Sequence, residues 1–126
     1  MIAVDTSALF SIAAGEDKAS DCAKVLAAEP EILISAGTLA EALIVASCKN
    51  VAAEMKRLIN GAGLTVVPVI EADAVLVAEA YDRWGRGARS AALNYADCFA
   101  YVLAKQRGCP LLFVGNDFSQ TDVQVT

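Results

Sequence analysis

Short apolar runs alternate with helical segments along the whole chain, and this alternation is the feature that most constrains its fold. The runs cover residues 2–4, 32–34, 64–70 and 110–114. Between them, apolar residues recur at helical spacing, and parallel strands need crossover connections of that kind. The pattern therefore predicts an α/β sandwich with a central parallel sheet flanked by helices. Because 126 residues suffice for one domain with a real core, we expect residues 1–126 to form a single domain.

One of the predicted helices is apolar on all sides. The helices are predicted at residues 8–14, 16–28, 38–48, 51–59, 71–84 and 96–104. In the last of them every residue except Asp97 is apolar or aromatic, so the helix should be buried, and a carboxylate there is costly unless it is compensated. Either Asn94 and Asp97 cap the helix start, or a cation binds Asp97. Taken alone, the helix favours the capping explanation.

Acidic residues lie near the ends of the predicted strands. Asp5 follows the first run, Glu41 lies in the helix after the second, Asp97 begins the helix before the fourth, and Asp117 follows the fourth. In a parallel sheet these positions share one edge, where ligands usually bind. Four carboxylates at one edge repel each other unless a cation joins them. An all-oxygen set of ligands indicates Mg²⁺ or Mn²⁺.

Each acid also has a local explanation that needs no metal. Asp5 can cap the helix that starts at Thr6, and residues 38–41 match a capping box with Glu41 in the final position. Asp117 and Asp122 can be turn residues. For each acid by itself the local explanation is the stronger one, whereas the four together favour a metal site.

Composition excludes several kinds of catalysis. The chain contains no histidine, which removes Ser-His-Asp and Cys-His catalysis and imidazole zinc sites. Its four cysteines form no Cys-x-x-Cys pair, so neither a zinc knuckle nor a redox motif is indicated. The net charge of −5 argues against a polyanionic partner, although a bound metal would neutralise several of the acids. No apolar run approaches the ~20 residues of a membrane helix, and no basic segment precedes a long apolar run, so a cytoplasmic location is expected.

Four motifs resemble those of one family. They are residues 1–9 (MIAVDTSAL), residues 35–41 (SAGTLAE), and residues 93–101 (LNYADCFAY) with 111–122 (LLFVGNDFSQTD). The first two resemble motifs of PIN-domain proteins, and the last pair resembles the VapC toxins of bacterial toxin–antitoxin modules. The resemblance covers essentially the whole chain and implies a single PIN-like domain. Ala96 and Val114 depart from it, because relatives often carry Gly and Lys there, and the missing Lys is expected to weaken RNA binding.

The resemblance implies an activity and assigns residues to it. Asp5, Glu41, Asp97 and Asp117 would be the catalytic acids that hold the metal, and Thr6 and Asp122 would support them. The implied activity is Mg²⁺- or Mn²⁺-dependent endonucleolytic cleavage of single-stranded or structured RNA. The implied partners are a cognate antitoxin that blocks the site and a second copy of the chain in a homodimer.

Three arginines lie just before the helix that carries Asp97. They are Arg83, Arg86 and Arg89, and they share a segment with Gly85 and Gly87. We predict that they contact the RNA backbone, since they are the densest positive feature of an acidic chain. A solvated loop is the alternative.

Two other functions stay open on sequence grounds. A receiver domain is also α/β with an acidic Mg²⁺ pocket, but residues 64–70 contain no Asp, and Val114 stands where it needs a Lys. A non-catalytic binding module would use the same acids as helix caps and would bind no metal.

Overall fold

A parallel sheet of four strands organises the described part of the chain. The computed structural model describes residues 1–85, 87 and 92–126. The strands are β1 (Ile2–Val4), β2 (Ile32–Ser35), β3 (Leu64–Val67) and β4 (Leu111–Leu112). Their order is β3-β2-β1-β4, and every pairing is parallel. The first strand therefore lies in the middle, with its carboxyl end beside that of β4.

The helices connect these strands and cover both faces of the sheet. They are α1 (Thr6–Ala14), α2 (Ala19–Ala28), α3 (Ala36–Cys48), α4 (Ala52–Gly61), α5 (Glu71–Trp84) and α6 (Asp97–Arg107). Successive residues of β1 point to opposite faces. Ile2 and Val4 join an apolar cluster with α1, α3 and α4, and Ala3 joins a second cluster with α5 and α6. The predicted α/β sandwich is confirmed.

Several element boundaries differ from the sequence prediction. Strand β3 ends at Val67, because Pro68 has no N–H to donate to a sheet. Helix α3 begins at Ala36, and its N-cap is Ser35, whose hydroxyl accepts from the Gly37 N–H at 3.2 Å. The capping box predicted for residues 38–41 is therefore wrong. Thr38 lies inside the first turn, so it cannot cap this helix.

Helix α6 is buried as predicted. Of its first eight residues, all but Phe99 have little exposed surface. The helix packs against α5, α3 and the strands β1 and β2. Among the helices of the described residues, none has both the length and the apolar character needed to cross a membrane.

Candidate functional site

A small cleft of about 190 Å³ opens where β1 and β4 end. The four acids predicted to share one sheet edge all line it: Asp5, Glu41, Asp97 and Asp117. The rest of the lining consists of the hydroxyl residues Thr6 and Ser7 and the apolar residues Phe10, Val45, Val114 and Phe118. The topology explains this convergence, because parallel strands deliver their carboxyl ends to the same edge.

Asp5 is both a helix cap and a wall of the cleft. It follows β1 and is 2% exposed. Its Oδ2 accepts from the Ser7 backbone N–H at 3.0 Å and from the Ser7 hydroxyl at 2.7 Å, so the predicted cap of α1 is confirmed. Its Oδ1 is buried with no hydrogen-bond partner among the described residues. A buried carboxylate oxygen without a donor is costly, and a cation would satisfy it.

Asp97 is held in a similar way at the start of α6. Its Oδ2 accepts from the Asn94 N–H at 3.0 Å, and the Asn94 side chain accepts from the Asp97 N–H at 2.9 Å. This reciprocal pair confirms the predicted hydrogen bonding between Asn94 and Asp97, but the bonds close the turn that leads into the helix, since α6 begins at Asp97 with Ala96 as its N-cap residue. Asp97 is 6% exposed. Capping uses one of its carboxylate oxygens, so the capping and metal-binding explanations are compatible.

The two buried acids are hard to ionise in this structure. Burial, together with the nearby Glu41 charge, raises the pKa of Asp5 to about 6, and the hydrogen bonds from Ser7 keep it from rising more. Burial also raises the pKa of Asp97 to about 7, and the charges of Asp5 and Asp117 act in the same direction, against the hydrogen bond from the Asn94 N–H. Asp97 therefore lies close enough to both Asp5 and Asp117 for their charges to act on it.

The donor chemistry of the cleft fits a hard divalent cation. Every candidate ligand is a carboxylate, and Mg²⁺ and Mn²⁺ prefer such oxygen ligands. The unpartnered Asp5 Oδ1 and the repulsion felt by Asp97 are both relieved by positive charge. In the side-chain positions of the described residues, however, no three His, Cys, Asp or Glu groups converge on one point. Asp117 is exposed and Glu41 is half-buried, so these two side chains have room to move towards a cation.

The sequence interpretation gave no role to Ser7. Its hydroxyl donates to Asp5 and accepts from the Val114 N–H at 3.0 Å, and Val114 lies 107 positions after Ser7 in the sequence. A hydroxyl residue two positions after an acid at a strand–helix junction was the available signal, because a side chain there can reach the capping carboxylate.

The two residues expected to support the acids differ in location. Thr6 lines the acidic cleft, and its hydroxyl donates to the Thr38 carbonyl of α3 at 3.3 Å. Asp122 instead accepts from the Tyr101 hydroxyl and pairs with Lys105 at 3.3 Å. It lines a separate cleft of about 410 Å³ between α5 and α6. Its described hydrogen bonds and ion pair therefore give it no direct contact with the four acids.

Arg83 is the one predicted RNA-binding residue that the structure describes. It is exposed at the end of α5, and its guanidinium lies 4.6 Å from the centre of the Trp84 ring. Trp84 in turn donates from Nε1 to the Tyr101 hydroxyl at 2.9 Å. Arg83 and Trp84 line the same cleft as Asp122. Arg86 and Arg89 lie outside the described residues.

Known proteins match this chain over nearly its full length. The family model for the PIN domain matches residues 2–124. Ribonuclease VapC36 of Mycobacterium tuberculosis is 40% identical over 125 residues, which cover 96% of this chain and 90% of the relative. Two solved structures share the fold at 17% identity. Mycobacterium tuberculosis VapC20, described as a sarcin-ricin loop cleaving toxin, has a TM-score of 0.81 over 100% of this chain and 98% of its own. A toxin–antitoxin complex from Klebsiella pneumoniae has a TM-score of 0.74 over 100% of this chain and 97% of its own.

Proposed function

This chain belongs to the PIN-domain family, and on that basis we propose that it is a Mg²⁺- or Mn²⁺-dependent endoribonuclease toxin inhibited by a cognate antitoxin. The observation that carries the proposal is the shared cleft of Asp5, Glu41, Asp97 and Asp117. The ribonuclease name of the 40% identical relative supports the same activity.

The four acids would hold the metal, and the chain offers no histidine to act as an alternative base. When bound, Mg²⁺ or Mn²⁺ would activate water and neutralise charge on the phosphate under attack. Asp5 and Asp97 are buried, and each is held by a hydrogen bond from a backbone N–H at a helix start. They would therefore be the rigid ligands of the metal site. Glu41 and Asp117 would complete it from the more open side. Phe10, Val45 and Phe118 would exclude water from the inner wall.

The proposed partners are RNA, an antitoxin and a second copy of this chain. The toxin–antitoxin complex with a similar fold supports an antitoxin partner. Among the described residues the cleft is lined by four carboxylates and by no Lys or Arg, so it suits an inhibitor that carries a positively charged group. A toxin that acts on cellular RNA would work in the cytoplasm.

Cleavage of purified RNA tests the activity. The purified chain should cut RNA internally in Mn²⁺ or Mg²⁺, lose this activity in EDTA, and regain it when the metal is restored. Mapping the cut ends would identify the sequence or structure that is recognised. Adding the cognate antitoxin should stop the reaction. Cleavage that persists unchanged in EDTA would contradict the metal-dependent mechanism, and absence of both metal binding and cleavage would favour a non-catalytic binding module.

We also propose that Arg83, Arg86 and Arg89 contact the RNA backbone. For single-stranded RNA, each neutralised phosphate contributes about −0.7 to the slope of log affinity against log salt concentration. Replacing all three arginines by Ala should therefore weaken RNA binding and flatten the slope by up to roughly two units. The measurement uses Ca²⁺ to suppress cleavage.

Arg57→Ala is the control for this substitution. Arg57 is an exposed arginine of α4 that pairs with Glu54, and it does not line the acidic cleft. Its removal should leave the slope nearly unchanged. A wild-type slope in the triple variant would show that these arginines do not bind the RNA backbone.

A further inference from the structure

The Ser7 hydroxyl connects the two strand ends that lie beside the acidic cleft. Residue Asp5 follows β1, and Val114 lies just beyond β4, three positions before Asp117. The backbone already connects these ends, because the Asp5 N–H donates to the Leu112 carbonyl at 3.0 Å. The Ser7 hydroxyl adds a side-chain connection, donating to Asp5 at 2.7 Å and accepting from the Val114 N–H at 3.0 Å.

The direction of the Ser7 hydroxyl proton follows from these contacts. A hydroxyl has one hydrogen to donate. The Val114 N–H can only donate, so it occupies an acceptor position of the Ser7 oxygen. The hydrogen is thereby left for Asp5 Oδ2, which receives the Ser7 backbone N–H as well. Both donors act on the same carboxylate oxygen, which fixes the rotamer of Asp5 and leaves Oδ1 as the oxygen without a partner in the described structure.

We propose that Ser7 is a positioning residue of the metal site, whose hydroxyl orients the Asp5 carboxylate and links it to the segment that leads to Asp117. This inference rests on the proposed metal-dependent function. Hydrogen-bond partners that orient metal ligands are typically worth 10- to 100-fold in metal affinity. Ser7 itself needs no contact with the metal or with RNA, because it acts through Asp5 and through the Val114 backbone.

A pair of nearly isosteric variants isolates the hydroxyl. Thr keeps an oxygen at the position of the Ser7 Oγ, whereas Val places a methyl group there and is otherwise of similar shape. Ser7→Thr should bind Mn²⁺ with nearly wild-type affinity. Ser7→Val should bind Mn²⁺ about 10- to 100-fold more weakly. Titration calorimetry or Mn²⁺ electron paramagnetic resonance measures this affinity without reference to cleavage.

The cleavage kinetics give a second readout that general loss of stability would not produce. At low Mn²⁺, Ser7→Val should lose kcat while KM for RNA stays near the wild-type value. Raising the Mn²⁺ concentration should restore much of the lost rate. Circular dichroism at the assay temperature establishes that each variant is folded.

Ser11→Ala is the matched control for removing a buried hydroxyl from the same helix. Ser11 is fully buried in α1, one turn after Ser7, and its hydroxyl has no hydrogen-bond partner among the described residues. The Mn²⁺ affinity of Ser11→Ala should equal that of the wild type. If Ser7→Val does not fold, Ser7→Ala is compared with Ser11→Ala instead. In Ser7→Ala the backbone N–H of residue 7 can still donate to Asp5 Oδ2, so only the hydroxyl contacts are lost.

The outcomes separate this inference from the proposed function. Equal Mn²⁺ affinity in folded Ser7→Thr and Ser7→Val, or in Ser7→Ala and Ser11→Ala, would overturn the role of Ser7 while the metal site stands. A wild-type chain that neither binds Mn²⁺ nor cleaves RNA would overturn the proposed function, and the role of Ser7 with it.

Discussion

At the scale of single residues, Asp5 and Asp97 show how one carboxylate can serve two purposes. Each uses Oδ2 to accept from backbone N–H groups at the start of a helix, which accounts for its place in the fold. Each also lines the acidic cleft, where its pKa is raised mainly by burial. An ionisable group with a shifted pKa in a cleft is typical of functional sites. The hydrogen bonds at the helix start, by contrast, explain only a structural role.

Asp97→Asn should abolish RNA cleavage while the fold survives. The amide oxygen can still accept from the Asn94 N–H, so capping is preserved, but the negative charge that would bind the metal is lost. Loss of a metal ligand should cost several powers of ten in rate, with ~1.4 kcal/mol for each factor of ten. Cleavage rates and circular dichroism are compared with Asp17→Asn, an exposed acid outside the cleft. Wild-type cleavage by Asp97→Asn would contradict the site.

The raised pKa values of Asp5 and Asp97 predict how pH changes the stability of the metal-free protein. Their folded-state values of about 6 and about 7 lie above the ordinary 3.8. Between the ordinary value and the folded-state values the folded state binds more protons than the unfolded state, so this stabilisation is complete below about pH 4 and is lost as the pH rises to about 7. In EDTA, thermal unfolding should therefore show this loss between about pH 4 and about pH 7. Asp97→Asn should show a smaller loss than Asp17→Asn, and equal losses would contradict the assignment.

At the scale of whole elements, the close approach of α3 and α6 brings Glu41 and Asp97 to one cleft. Gly37 makes this approach possible, because a Cβ built there would lie 2.6 Å from two atoms of the Phe99 ring. Phe99 also packs edge-to-face on Tyr95, with ring centres 5.1 Å apart. The spacing of the two helices thus depends on a position with no side chain.

Gly37→Ala should destabilise the protein by about 1–3 kcal/mol, because the added methyl group displaces the Phe99 ring and with it α6. It should also weaken Mn²⁺ binding, since Glu41 and Asp97 lie on the two displaced helices. Gly61→Ala is the matched control: a Cβ there meets nothing within 4 Å, and the change should be neutral or slightly stabilising. Chemical denaturation measures both. Equal stability of the two variants would mean that the helices accommodate the methyl group freely.

At the scale of the whole molecule, metal binding should couple to the stability of the fold. The segments that follow β1 and β4 and the helices α3 and α6 each contribute an acid to the cleft, so a cation would link parts of the chain that are distant in sequence. A ligand that binds only the folded state stabilises it by mass action.

Mn²⁺ or Mg²⁺ should therefore raise the melting temperature, and EDTA should reverse the rise. The rise should be larger at about pH 8 than at about pH 5, because the carboxylates must lose their protons to bind the metal. Asp97→Asn should show little of this effect, whereas Asp17→Asn should show all of it. A melting temperature that is constant across a wide Mn²⁺ titration would contradict the metal site and leave the acids with structural roles only.

Much of the architecture is encoded locally and was therefore predictable. Alternating strands and helices specified a parallel sheet, and the bounds of α5 agree with the predicted residues 71–84. The acids near the strand ends converged because the topology of a parallel sheet leaves them no other edge. The caps by Asp5 and Asn94 were equally local, since each bond spans no more than three residues.

Tertiary structure alone decided the contacts between side chains that are remote in sequence. Ser7 meets the Val114 backbone across 107 positions, and Asp122 binds Tyr101 and Lys105 in place of the four acids. Such contacts depend on which rotamers remain once the helices have packed on the sheet, and residue spacing carries no information about that choice. The sequence by itself determined which edge of the sheet collects the acids. Packing determined which neighbours hold each acid in place.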